Sequence, residues 1–217
     1  MPRKRQDQPP DEVRDILSEL QRVLNLEDAT GNHVGDAECG VYAFYDYDDE
    51  PIYVGQTNEK LRVRIRRHLS NQRTDAVAMN VLDPFEVAEI EMWPLWDLTG
   101  ASASESKPLL ASAEFSVFRI LLEASLFGAV LNEKLVAPAP LMILPDSVRG
   151  RIVPAELYER RKHPDIRIAR RASTIAKLAL VISERSVQPG LRTTLLTQAR
   201  RLEHLARQRL EQVSDDE

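Results

Sequence analysis

Apolar and polar positions follow two different rhythms along this chain. In DEVRDILSELQRVLNL (11–26), Val13, Ile16, Leu17, Leu20, Val23 and Leu24 recur at three- and four-residue spacing. That spacing predicts an amphipathic helix with one buried face, and Asp11 and Glu12 suit its N-terminus. After a polar loop, GVYAFYDYDDEPIYVGQT (40–57) places two short runs rich in Tyr, Phe, Val and Ile around an acidic turn, which predicts a β-hairpin. EKLRVRIRRHL (59–69) returns to the helical rhythm through Leu61, Ile65 and Leu69. Arg64 and His68 also fall four apart, so both heads can point the same way. FEVAEIEMW (85–93) predicts a third strand, followed by a loop from Pro94 to Pro108. ASAEFSVFRILLEASLFG (111–128) predicts an apolar helix that packs Phe115, Phe118, Leu121, Leu122 and Leu126 inward, with Gly128 as its stop.

Prolines at 138, 140, 145 and 154 exclude a long helix across that stretch. Beyond it, Ile175, Leu178, Ile182, Leu195, Leu202 and Leu205 alternate with arginines and predict two helices, about 166–186 and 190–213. The expected class is α/β: a three-stranded antiparallel sheet flanked by helices, with an N-terminal helix and a C-terminal helical extension. The expected divisions are an N-terminal helix and loop (1–37), a central domain (38–135), a Pro-rich connection (136–154) and a basic helical region (155–217).

Composition narrows the setting. The chain has 217 residues, 43% of them hydrophobic and 29% charged, enough to bury a core and to stay in solution. No run of about 18 apolar residues exists, so no membrane span is expected. MPRKRQDQPP lacks the apolar core of a secretory leader. The lone Cys39, read as a small core residue, excludes an internal disulfide and a cysteine zinc site. These features predict a cytoplasmic protein.

Charge divides the chain unevenly. Residues 149–209 hold fifteen Arg or Lys against five Asp or Glu, while residues 1–148 balance to −11 and the whole chain to −5. A basic segment on an acidic chain points to a polyanion site, against the plainer reading of solvated helix faces. Its densest stretch, RRKHPDIRIARR, offers Arg160, Arg161, Lys162, Arg167, Arg170 and Arg171 to phosphates or base edges.

The central segment carries a more specific pattern. GVY (40–42) precedes YVG (53–55), then L-x-x-R-I-x-x-H runs from Leu61 to His68, with LLE at 121–123 and LN at 131–132. In this order the motifs resemble the GIY-YIG nuclease family over roughly residues 38–134. The resemblance implies phosphodiester hydrolysis in DNA with one divalent metal, Mg²⁺ or Mn²⁺, held by a glutamate. The implied site is Tyr42, Tyr53, Arg64, His68, Glu123 and Asn132. Two spacings depart from the family's. The arginine lies about one residue late, which makes Arg62 a weaker alternative to Arg64. Glu123 lies close to Asn132, which makes Glu114 a competing ligand. Nine positions separate the two glutamates, so they cannot share one helix face, and the LLE context favours Glu123.

The residue types suit that chemistry without the family. Arg64 can donate two parallel hydrogen bonds to phosphate oxygens and keeps its proton. A glutamate supplies the hard oxygen that Mg²⁺ prefers. Tyrosine, with a reference pKa of about 10, needs help to act as a base at neutral pH. Tyr53 would position water or phosphate, His68 would relay a proton or bind phosphate, and Asn132 would hold the tyrosine or the backbone near the metal. Taken singly, the tyrosines are strand packing, Arg64 and His68 a solvated helix face, and Asn132 a turn residue. Taken together they require too many coincidences. The expectation is a type II restriction-like endonuclease acting as a homodimer. The alternatives are a repair or mobile-element nuclease, or a catalytically idle nucleic-acid-binding protein.

Overall fold

Every residue of Gly40–Tyr45 is buried, which makes this strand, β1, the centre of the sheet. In the computed structural model of the chain, residues 11–69, 83–132, 135–184, 186–187 and 189–215 are described. The stretch MPRKRQDQPP, read above as no leader, lies outside them. β2 (Pro51–Thr57) and β3 (Glu89–Pro94) flank β1 on its two sides, both antiparallel. A fourth strand, β4 (Val148–Arg151), pairs antiparallel with β3, giving the order β2-β1-β3-β4.

Four strands therefore stand where three were expected, and the fourth lies within the stretch read as a connection. Its period-two signal is visible in retrospect: Val148, Gly150 and Ile152 alternate with Arg149 and Arg151. Gly150 is needed there, because a Cβ would fall 2.9 Å from both methyls of Val23 on the covering helix.

Helices cover both faces. α1 (Asp11–Leu24) buries Leu20, Val23 and Leu24, while its first turns leave Val13 and Leu17 exposed, so its buried face is shorter than the pattern predicts. α2 (Leu61–Leu69) buries Leu61, Ile65 and His68. Together they close the face that carries Tyr42, Phe44 and Ile90.

α3 (Ala103–Ala124) covers the opposite face through Leu110, Ala113, Val117 and Leu121, against Val41, Ala43, Tyr45 and Val54. It begins eight residues before the predicted start. The signal was Ser102-x-x-Glu105: the Glu105 carboxylate accepts from the Ser102 N–H and hydroxyl and fixes the N-terminus. Pro108 sits within the helix. Leu126, expected inside, is exposed beyond its end.

The C-terminal region contains α4 (Ala155–Lys162), α5 (Pro164–Glu184) and α6 (Pro189–Asp215), the last two close to the predicted pair. α5 and α6 pack on one another through Leu178, Ile182 and Leu191. They are tied to the β1–β2 turn by charge. Asp46 Oδ1 accepts the N–H groups of Asp48 (2.8 Å) and Glu50 (3.1 Å) and so shapes the turn. Its Oδ2 collects Arg167 (3.2 Å), Arg171 (2.7 Å) and Arg201 (2.6 Å). Asp48 (2.7 Å) and Glu86 (3.5 Å) complete the pairing of Arg167, and Glu86 also pairs with Arg171 at 3.2 Å.

Candidate active site

The two tyrosines share one face because of the hairpin register. Tyr42 lies opposite Gly55, and Phe44 opposite Tyr53. Residues directly opposite in an antiparallel pair project to the same side, so the three rings form one aromatic wall. Gly55 is what lets that wall close. A Cβ there would fall 2.8 Å from Tyr42 Oη and 2.8 Å from Tyr53 Cε1. Gly40 has an equivalent reason, since its Cβ would meet the Trp93 carbonyl oxygen at 2.8 Å.

α2 sets His68 against this wall, edge-on to Tyr53 with ring centroids 4.4 Å apart and to Phe44 at 5.2 Å. Its Nδ1 lies 3.2 Å from Tyr42 Oη, a hydrogen bond between two buried side chains. Tyr42 is fully buried, while Tyr53 is half-buried and faces the outer side of the same cluster.

Arg64 sits one turn before His68. It is half-buried, its Nε is shielded from water without a hydrogen-bond partner, and no ion pair holds it among the described residues. Arg62, the weaker alternative, is turned away and committed to Asp36 at 2.9 Å and Asn25 at 3.2 Å.

The two glutamates differ in exposure. Glu114 lies on the α3 stripe that faces the sheet, four residues after Leu110 and three before Val117, and is half-buried. Burial pushes its carboxyl pKa up, opposed by the side chain and backbone of Gln56 and by the charge of Arg64. Glu123 follows buried Leu121 by two residues, about 200° around the helix. It is exposed and pairs with Arg119 at 3.1 Å. The LLE context that favoured Glu123 is silent about helix phase, and the phase turns Glu123 to solvent.

Asn132 acts on a strand. Its Nδ2 donates to the Val54 carbonyl at 2.9 Å and its Oδ1 accepts from the Val54 N–H at 3.2 Å. The Leu131 N–H bonds the Ile52 carbonyl at 2.9 Å. The pair thus completes the open edge of β2 on either side of Tyr53. Of the two roles left open for Asn132, the clamp is on the tyrosine strand.

A divalent cation fits Glu114. Among the described residues no group of three or more His, Cys, Asp or Glu side chains gathers to cage a metal. Mg²⁺ does not need one, because it keeps several waters and commonly takes one or two carboxylates plus substrate phosphates. A carboxylate has roughly four lone-pair positions, so a neighbouring amide at Gln56 leaves room for an ion.

The proposed nucleic-acid arginines divide. Arg167 and Arg171 are 1% and 5% exposed and face Asp46 and Glu86, so they cannot reach a phosphate. Arg161 is 5% exposed, its guanidinium 4.7 Å from the centre of the Phe85 ring. Arg170 is half-buried over the same ring. Only Arg160, paired with Glu12, and Lys162 are exposed. Three of the fifteen basic residues, Arg167, Arg171 and Arg201, are internal counterparts to the acidic Asp46 and Glu86. Gln56, Asp46 and Arg201 were missed. Of these only Gln56 left a local signal, as a long polar residue in a buried strand directly after YVG.

Residues 38–107 match the family model described as the GIY-YIG catalytic domain. This match supports membership of the GIY-YIG nuclease family, and the domain is that of a nuclease, generally an endonuclease, which implies DNA as the substrate. The matched segment contains Tyr42, Tyr53, Arg64 and His68 and ends before Glu114 and Asn132. Nucleases of this family are generally dependent on a divalent metal. No curated protein and no solved structure matched the chain. Among the described residues no helix is long and apolar enough to cross a membrane.

Proposed function

We propose that this chain is a metal-dependent DNA endonuclease of the type II restriction kind, working as a homodimer in the cytoplasm. The observation that carries the reading is the pairing of Tyr42 Oη with His68 Nδ1 at 3.2 Å, one helical turn from an arginine that has no carboxylate of its own. The Tyr42–His68 pair supplies the base that a lone phenol lacks. As water attacks phosphorus, its proton passes to the Tyr42 oxygen and the phenol proton passes to His68 Nδ1. The bond from phosphorus to the oxygen of the leaving strand breaks, and that oxygen takes a proton from solvent. Arg64 draws in the phosphate and neutralises charge on its oxygens with a fixed fork of donors. The strand enters past half-buried Tyr53, which positions the phosphate against the buried pair.

Glu114 would hold the cation, Mg²⁺ or Mn²⁺, which when bound polarises the phosphate and lowers the pKa of a coordinated water. Asn132 keeps Tyr53 in place by clamping Val54. Cutting both strands calls for two copies of the site. Leu180, Leu196 and Leu210, exposed on α5 and α6, are the apolar positions a second copy would cover.

Purified protein is incubated with plasmid and with unrelated linear DNA, in Mg²⁺, Mn²⁺ or EDTA, beside Glu114→Ala and Glu123→Ala. Discrete metal-dependent bands, lost in Glu114→Ala alone, are the expected result. Nicking or smearing would move the reading to a repair or mobile-element nuclease. DNA retardation with no cleavage of diverse DNA would leave a binding protein and overturn the catalytic assignment.

A further inference from the structure

Gln56 has no part in the chemistry above, yet two features of β2 aim it at Glu114. It lies opposite Val41 in register, so its side chain shares with Val41, Ala43 and Val54 the face that α3 covers. Its main chain is equally constrained. The Ile52 carbonyl and both polar groups of Val54 point off the outer edge of β2, toward Leu131 and Asn132. Antiparallel alternation puts the Gln56 N–H on that same edge. The side chain and the backbone of this one residue also oppose the upward push of burial on the Glu114 carboxyl.

We infer that Gln56 is a positioning residue that holds the Glu114 carboxylate at the β2 edge, beside Arg64, in the orientation in which it meets a divalent cation. The inference rests on Glu114 being the ligand. A neutral amide is suited to this task. Lysine or arginine at position 56 would neutralise the carboxylate and compete with the cation. An apolar side chain would leave a half-buried carboxylate without the amide beside it. The amide fixes direction and leaves the charge for the ion, the usual contribution of a residue behind a metal ligand. Glu123 shows the opposite arrangement, exposed and paired with Arg119.

The test is Mn²⁺ binding to the full chain, read from the paramagnetic resonance of the free ion, so that affinity is measured without turnover. Wild type is compared with Gln56→Met and Gln56→Leu, two replacements of similar volume that lack the amide, and with Glu114→Ala. Both Gln56 variants are expected to bind Mn²⁺ about tenfold more weakly, with unchanged unfolding midpoint and unchanged DNA retention in EDTA. The Mg²⁺ concentration for half-maximal cleavage should rise by the same factor, and the rate at saturating Mg²⁺ should fall less. Wild-type affinity in the Gln56 variants, with binding lost in Glu114→Ala, overturns the role of Gln56 and leaves Glu114 as ligand. A lowered midpoint with unchanged affinity reduces Gln56 to packing and overturns the inference too. Wild-type affinity in Glu114→Ala overturns both.

Discussion

Arg64 and Arg201 both carry a shielded Nε without a hydrogen-bond partner, yet they stand in opposite situations. Arg201 is 2% exposed and reaches Asp46 at 2.6 Å, sharing that carboxylate with Arg167 and Arg171. Arg64 is half-buried one turn before His68, and no ion pair holds it among the described residues. A buried guanidinium whose counter-charge is supplied by the fold holds structure together. One whose counter-charge is missing is prepared to receive an anion. Counting arginines along the sequence cannot separate the two, because both kinds raise the local charge equally.

If the Asp46 cluster is structural, removing its common acceptor is the most damaging single change. Asp46→Ala leaves three arginines buried with too few carboxylates and takes two hydrogen bonds from the hairpin turn. Breaking a buried pair costs about 3–5 kcal/mol, which for a chain of this size lowers the unfolding midpoint by roughly 6–20 °C. A midpoint near wild type, by calorimetry, would show that the cluster does not hold α5 and α6 in place.

The comparison sharpens at the two glutamates. Glu114→Gln should slow cleavage by about a hundredfold or more, as expected when a site loses one electrostatic stabiliser, with the fold intact by circular dichroism. Glu123→Gln, which opens an exposed pair, should leave rate and midpoint unchanged. Equal losses in both would place the ligand elsewhere.

Acid should act on the structural arginines first. Burial alone would raise the Asp46 carboxyl, but Arg201, Arg167 and Arg171 hold it below the ordinary carboxylate range. A depressed folded pKa contributes stability that is complete above the unfolded value of about 3.9 and is lost as pH falls toward the folded one. Thermal melts from pH 6 down to pH 3 should therefore show a fall below about pH 4 that is shallower in Arg201→Met. Glu86 works in the other sense: burial outweighs Arg171 and Arg167 and raises it, so the benefit of its protonated form fades as pH rises. The smallest effect belongs to the exposed basic residues. Arg160→Ala should change neither the midpoint nor DNA retention on a gel by more than the error of either. A clear loss of retention would restore part of the basic region as a DNA surface.

What the sequence made legible follows from the range of each interaction. The hairpin, α2 and the set Tyr42, Tyr53, Arg64 and His68 lie within the 30 residues 40–69 and are fixed by alternation, by a four-residue spacing and by motif order. Which glutamate faces the sheet was not legible, because it depends on helix phase, and the phase is set by which stripe of α3 meets the sheet. Asp46 and Arg201 are 155 residues apart, and no local pattern announces that an acidic turn and a distant arginine will meet. Asn132 was found for its position, and its action on the Val54 backbone became visible only once β2 proved to be an edge strand.

The most direct test puts Arg64→Met and Arg201→Met side by side, with unfolding midpoint and cleavage rate measured on the same preparations. Arg64→Met should keep the wild-type midpoint and lose cleavage by about a hundredfold or more. Arg201→Met should lose several degrees of midpoint, and at a temperature where it is folded its cleavage should be close to wild type. A destabilised Arg64→Met that still cuts DNA, or a stable Arg201→Met that does not, would contradict the division of the arginines into one that awaits a phosphate and three that hold the hairpin turn.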